Sequence, residues 1–169
     1  MRLVDRRLGF RPKGHDHADC ASAALEAAER LCVRRGARLT EIRRRVLELV
    51  WRSHQPVGAY AILERLGRER GRVAPPTVYR ALEFLIAHGL VHRITSRNAF
   101  IGCAHPDRDH IGQFLVCSDC GSAAELDDRR IDRAIRSGAE AAGFAVEHPV
   151  VELAGRCPQC RDKSRHAGR

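Results

Sequence analysis

Two pairs of cysteines with identical spacing constrain this chain more than any other feature. Cys117-Ser118-Asp119-Cys120 and Cys157-Pro158-Gln159-Cys160 each put two thiols on one tight turn. Two such turns complete a tetrahedral shell of four sulfurs, and zinc is its usual occupant. The shell ties the end of the chain to its middle, closing a loop of roughly forty residues. A redox dithiol or two unrelated surface turns would account for one C-x-x-C. A second pair at the far end of the same short segment argues for one shared ion.

At 169 residues the chain fits one large domain or two small ones, each with a modest core that a structural metal would reinforce. No run approaches 18 apolar residues, so no membrane span is expected. The basic N-terminus lacks a continuous apolar segment and does not read as a secretory signal. Seven cysteines, four of them at metal spacing, fit a reducing cytoplasm better than a disulfide framework. The formal charge of +9 is unevenly placed: residues 1–95 hold 19 Lys+Arg against 10 Asp+Glu, and residues 96–169 hold 11 against 11. Positive charge confined to one half points to a polyanion, most simply nucleic acid.

Residues 1–20 have no periodicity and read as a flexible basic tail. Residues 21–35 are helix formers closed by Gly36. A second helix follows Thr40, with Ile42, Val46, Leu49 and Val50 on one face and Arg43, Arg44 and Arg45 on the other. A third runs over residues 59–68. A fourth opens at Pro75-Pro76, carries Val78, Leu82, Leu85 and Ile86 as an apolar stripe, and stops at Gly89. Tyr79, Arg80 and Glu83 then point outward. Two short β runs, residues 90–95 and 99–103, make a hairpin after the helices. Residues 21–103 therefore read as a winged helix-turn-helix, whose longer helix enters the major groove of DNA; the alternative is a small helical bundle with no such role.

The second half reads as α+β: strands over residues 113–117 and 123–126, a helix over 128–142, and a long strand over 144–153. An edge strand of that length needs covering, and a second copy of the chain is one solution. Further ligand types gather where the halves meet. His92, Cys103, His110 and Glu125 would fill a tetrahedral zinc shell with no open position, and the thiolate disfavours Fe(II) or Mn(II). Singly, each has a plainer reading: a wing histidine, a small buried cysteine, a solvated glutamate. His105, Asp107, Asp132 and His148 form a looser nitrogen–oxygen set. Cys20 and Cys32 have no partner at ligand spacing.

The motif order resembles a known family. Ala37-Arg38-Leu39-Thr40, Ala59-Tyr60-Ala61-Ile62-Leu63, Pro76-Thr77-Val78-Tyr79-Arg80-Ala81-Leu82 and Gly89-Leu90-Val91-His92-Arg93 resemble the DNA-binding half of the ferric uptake regulator family. Cys117-x-x-Cys120-Gly121, Gly143-Phe144 and Cys157-x-x-Cys160 resemble its dimerisation half. The likeness spans about residues 21–161 and is greatest to the zinc uptake regulator branch, since the histidine-rich run of iron sensors is thin here.

The resemblance implies a winged-helix DNA-binding domain over residues 21–103, a small α/β dimerisation and metal-binding domain over 104–161, and a tail over 162–169. It implies a cytoplasmic, homodimeric, zinc-dependent repressor of zinc uptake genes that binds an inverted-repeat operator, with no membrane and no small-molecule substrate beyond the metal. Cys117, Cys120, Cys157 and Cys160 match structural zinc ligands, and His92, Cys103, His110 and Glu125 match regulatory ones, giving two zinc ions per subunit. The set of His105, Asp107, Asp132 and His148 would add a third. Tyr60 and Arg80 match positions that face DNA; Thr77, Tyr79, Arg43 and Arg44 join them as expected contacts. Within the family the alternatives are iron, manganese or peroxide sensing. Outside it, a zinc hydrolase or dithiol oxidoreductase is disfavoured: the expected zinc shell is full, and no Ser/His/Asp or phosphate-loop signature occurs.

Overall fold

A computed structural model describes residues 10, 17–52, 55–108, 110–147 and 149–166. The chain divides into two compact units, Pro12–Arg108 and Asp109–Arg169, the latter joined by the N-terminal stretch that contains Phe10. Among the described residues no helix is long and apolar enough to cross a membrane.

The first unit has four helices followed by a hairpin: α1 (His17–Arg34), α2 (Glu41–Trp51), α3 (Ala59–Arg70), α4 (Pro75–Ala87), β1 (Val91–Ile94) and β2 (Ala99–Gly102). Its core is the set of inward faces that periodicity marks: Val46, Leu49 and Val50 of α2, Ile62 and Leu66 of α3, and Val78, Leu82 and Leu85 of α4. Leu25, Ala28, Leu31 and Cys32 of α1 close it from one side. Helix α2 is the hub, packing on α1, α3, α4 and β2.

Helix α4 begins with two prolines in its first turn, where no N–H is needed. It ends in a Schellman turn. Gly89, at φ +67°, lets Leu90 N–H reach the Leu85 carbonyl at 2.8 Å and Gly89 N–H reach that of Ile86 at 2.9 Å. That turn sends the chain straight into β1. The hairpin pairs antiparallel from Val91 with Gly102 to Ile94 with Ala99, around a 3-10 turn (Thr95–Arg97). Val57 and Phe100 exchange backbone hydrogen bonds at 2.9 and 2.8 Å, so the loop after α2 braces the wing. This is a winged helix.

The second unit is a three-stranded sheet in the order β4-β3-β5, with β3 (Gly112–Cys117), β4 (Ala123–Glu125) and β5 (Val150–Gly155). Strands β3 and β4 are antiparallel. β3 and β5 are parallel, in register from Gly112 with Val150 to Cys117 with Gly155. The parallel pair requires a crossover, supplied by α5 (Arg129–Ala141). Asp128 caps α5 by accepting from Arg130 N–H at 2.8 Å.

Three boundaries differ from the sequence reading. Helix α1 starts at His17, inside the expected tail, and α6 (Pro158–His166) continues past the second cysteine pair into the other expected tail. Residues 1–9, 11–16 and 167–169 lie outside the described set. The expected long strand begins only at Val150, because Gly143, at φ +65°, turns the chain out of α5 and leaves Phe144 68% exposed.

The Arg130 side chain and the helix N–H beside it hold the Asp128 carboxyl at about 2. A carboxyl whose folded value is depressed contributes stability above its unfolded pKa, about 3.9, and loses it as pH falls through the folded value. Amides in the first turn of α5 should therefore exchange faster in Asp128→Ala than in the parent at neutral pH. That difference should shrink between about pH 4 and pH 2, as read by hydrogen exchange; a difference independent of pH would refute the cap.

Candidate metal centres and the outward helical face

The parallel register of β3 and β5 carries both C-x-x-C turns to the same end of the sheet. Cys117 is the last residue of β3, and Cys157 follows two residues after β5 ends at Gly155. Ser118 N–H bonds the Gly155 carbonyl at 2.8 Å, locking the two turns together. Cys120 stands on the turn before β4, and Cys160 on the first turn of α6. The four sulfurs lie within 4.8 Å of one another, with Cys120 Sγ and Cys157 Sγ 3.8 Å apart. A tetrahedron with Zn–S bonds of about 2.3 Å has edges of about 3.8 Å. The cluster fits zinc.

Proton affinities in the cluster point the same way. Burial pushes the Cys117 thiol up, but N–H groups of Cys157, Cys120 and Asp119 outweigh it and hold the thiol at about 6. One of these, Cys157 N–H, lies 3.3 Å from the sulfur. The Ser122 hydroxyl, 3.2 Å from Cys120 Sγ, pulls that thiol down as well. Burial pushes Cys157 up, and the adjoining Cys157 thiol, then burial, push Cys160 up to about 12. Four sulfurs this close cannot all ionise without a cation among them.

The second expected quartet is represented by a pair in each unit. In the winged unit, His92 on β1 and Cys103 just beyond β2 put a ring nitrogen and Sγ within 4.8 Å of each other. Cys103 is buried, and its N–H bonds the Leu90 carbonyl at 3.0 Å. In the sheet unit, His110 Nε2 lies 2.8 Å from Glu125 Oε1, with both side chains largely shielded. Glu125 ends β4 opposite Phe114, which aims it at the residues leading into β3. Each pair is a two-donor half-shell.

Of the looser set, the two aspartates are engaged by nearby groups. Asp107 pairs with Arg34 of α1. Asp132 accepts the Ile111 N–H at 3.1 Å and lies 3.6 Å from Arg136. His148 lies outside the described residues, and His105 joins no ligand cluster among them. Both aspartates serve as local braces, tying loops to helices.

Expected DNA contacts divide in two. Tyr60, 76% exposed, stands on the first turn of α3; Tyr79, 42% exposed, and Arg80 face outward from α4, with Thr77 half-buried beside them. The arginine run of α2 also has partners within the fold. Arg43 lies over the Phe84 ring at 3.6 Å and donates to the Arg38 carbonyl at 2.6 Å. Arg44 pairs with Glu29 of α1. Arg45, 19% exposed, is held by Glu48 at 2.5 Å and by Glu69 of α3, Nε to Oε2, at 2.7 Å. Because α1 and α3 flank α2, carboxylates of both reach its basic face, while Arg44 keeps its side chain 47% exposed. Among the described residues, Arg65, Arg72 and Arg80 are exposed cations with no carboxylate in reach.

The model of the ferric uptake regulator family matches residues 34–154. The chain belongs to that family. It is 35% identical over 137 residues to the zinc uptake regulation protein of Escherichia coli (strain K12), covering 80% of each chain. It is 28% identical over 129 residues to that of Mycobacterium tuberculosis (strain ATCC 25618 / H37Rv), covering 75% of this chain and 96% of the relative. A solved zinc uptake regulator complexed with zinc and DNA superposes with TM-score 0.81 at 33% identity, covering 86% of this chain and 97% of that one. The crystal structure of holo XcZur superposes at 0.76 with 44% identity, covering 83% and 98%. The family match spans the winged unit from the end of α1, both C-terminal sheet crossings and the first cysteine pair; the second pair lies just beyond it.

In metal-free protein, Cys120, exposed and with its thiol pulled down, should alkylate ahead of Cys160, whose thiol is pushed to about 12. Zinc should protect both. Pulse alkylation at pH 7.5 read by peptide mass spectrometry checks this; Cys160 reacting first, or zinc giving no protection, would contradict the shared shell.

Proposed function

We propose that this chain is a zinc-responsive, homodimeric transcriptional repressor that binds inverted-repeat operator DNA and controls zinc uptake genes. The observation that carries the reading is the combination, in one chain, of a winged helix with exposed Tyr60, Tyr79 and Arg80 and four cysteine sulfurs within 4.8 Å of one another. The zinc uptake regulators it resembles over most of its length support the choice of metal. In this reading residues 21–103 form the DNA-binding half and residues 104–161 the dimerisation half, working in the cytoplasm, where thiols stay reduced.

The sensing site is assigned to His92 and Cys103 with His110 and Glu125, two donors from each half on one ion. Two imidazoles, a thiolate and a carboxylate make a complete zinc shell. With a structural ion on the four cysteines, each subunit holds two. A full shell leaves no position for substrate, so the chain is a regulator and not an enzyme. Zinc binding the closed arrangement more tightly than the open one biases the DNA-binding halves of a dimer toward one spacing. Protonation of His92, His110 and Cys103 opposes metal, so the response weakens as pH falls.

Dimerisation is supported by apolar surface left open on the sheet unit: Phe144 is 68% and Leu153 50% exposed, and no residue of α5 is fully buried. On DNA, Arg80 is placed to read a guanine edge, and Tyr60 to touch backbone or a thymine methyl. Arg65 and Arg72, exposed and without a carboxylate partner, join Arg43 and Arg44 as candidates to hold phosphates.

DNA binding titrated against buffered free zinc, with Fe(II) and Mn(II) in parallel, tests the reading. Zinc should promote binding at the lowest free concentration, Cys103→Ser should abolish the response, and affinity should fall steeply with salt. Arg80→Ala should cost about 1–3 kcal/mol and relax sequence preference. Equal DNA affinity in metal-stripped protein would sink the switch; a stronger response to iron or manganese would move the chain to another branch of the family.

A further inference from the structure

Trp51 is the single tryptophan of the chain and the last residue of α2. Its indole fills the space beside Gly102, the last residue of β2, where a side chain would begin. A Cβ on Gly102 would stand 2.2 Å from indole Cε2, 2.3 Å from Nε1 and 2.7 Å from Cζ2. No other residue fits while the ring is there. The ring has little freedom to yield, because Trp51 is partly buried against the helical core.

The position matters because of what lies on either side. Gly102 pairs across the hairpin with Val91. The next residue after Gly102 is Cys103, and the next after Val91 is His92. The indole thus bears on the cross-strand pair from which both metal-ligand candidates of the wing lead off. Helix α2 also packs on α4, which carries Arg80, so the ring joins the wing's ligand end to the element beneath the outward face.

We propose that Trp51 is a positioning residue for zinc binding, acting through Gly102. Its indole pins the end of β2 to α2 and holds His92 and Cys103 within one ion's reach before metal arrives. Less ordering is then left for the metal to impose, which raises affinity. The proposal rests on His92 and Cys103 serving as zinc ligands.

The full-length protein, with Gly102→Ala, Trp51→Leu, the double substitution and Cys103→Ser, tests it. The readouts are affinity for the second zinc equivalent by chelator competition and, in metal-free protein, amide exchange at Cys103. Gly102→Ala should weaken the second zinc at least tenfold and speed Cys103 exchange, leaving the four-cysteine zinc in place. Trp51→Leu should weaken it also. The double variant should bind no more weakly than Trp51→Leu alone, since the added methyl has nothing to strike once the indole is gone; general destabilisation would give additive losses instead. Wild-type affinity in Gly102→Ala, or additivity in the double variant, overturns the proposal. If Gly102→Ala does not fold, Trp51→Leu decides alone: unchanged second-zinc affinity overturns it. Should Cys103→Ser lose the second zinc while Gly102→Ala and Trp51→Leu keep it, the ligand assignment stands and this inference alone falls; a Cys103→Ser that keeps it brings down both.

Discussion

The parallel pairing of β3 with β5 sets the terms for the C-terminal unit. Antiparallel strands would have put Cys117 and Cys157 at opposite ends of the sheet, about 20 Å apart for strands of six residues. Parallel strands in register bring both C-x-x-C turns to one edge, and the Ser118-to-Gly155 backbone bond fixes their approach. Parallel pairing needs a crossover, so α5 and its Asp128 cap follow from the same demand. The unit has a small core, centred on Ile111, Phe114, Val116 and Ala123. An ion shared by four sulfurs then adds folding energy where hydrophobic burial is scarce.

In the winged unit the corresponding constraint is the central place of α2. Three helices and a strand pack around it, so its charged residues lie within reach of carboxylates on the flanking helices. Arg44 and Arg45 meet Glu29 and Glu69, and Arg43 covers Phe84, which itself stacks on His88 at 4.0 Å. Positive charge that composition would assign to a polyanion is thus partly consumed in joining α1, α2 and α3. What remains for solvent includes Arg65, Arg72 and Arg80 on α3, α4 and the loop between them, with Arg38 before α2 and Arg93 on β1. A net charge of +9 does not by itself locate a binding face.

Much of this could be read from the residues because the signals were local. Pro75-Pro76 and Gly89 bracket α4 so tightly that its ends fall where turn chemistry puts them. The paired C-x-x-C spacing named the four sulfurs, since each turn holds its two ligands by itself. The rest depended on partners distant in sequence. Nothing near Arg45 announces that Glu69 will face it, and nothing near Gly102 announces Trp51. Asp107 and Asp132 have the chemistry of ligands, yet each is taken up by a neighbour that only the fold supplies. His17 to Asp19 look like tail because they continue a charged, unperiodic stretch, yet the helix starts with them.

Zinc K-edge absorption on protein loaded with one and then two equivalents bears most directly on the central claim, that this chain holds one zinc on four sulfurs and a second on mixed donors. The first equivalent should show four sulfur neighbours at about 2.3 Å, and the second should add one sulfur with three nitrogen or oxygen neighbours at about 2.0–2.2 Å. A second ion without sulfur, or a first ion with fewer than four, would contradict it.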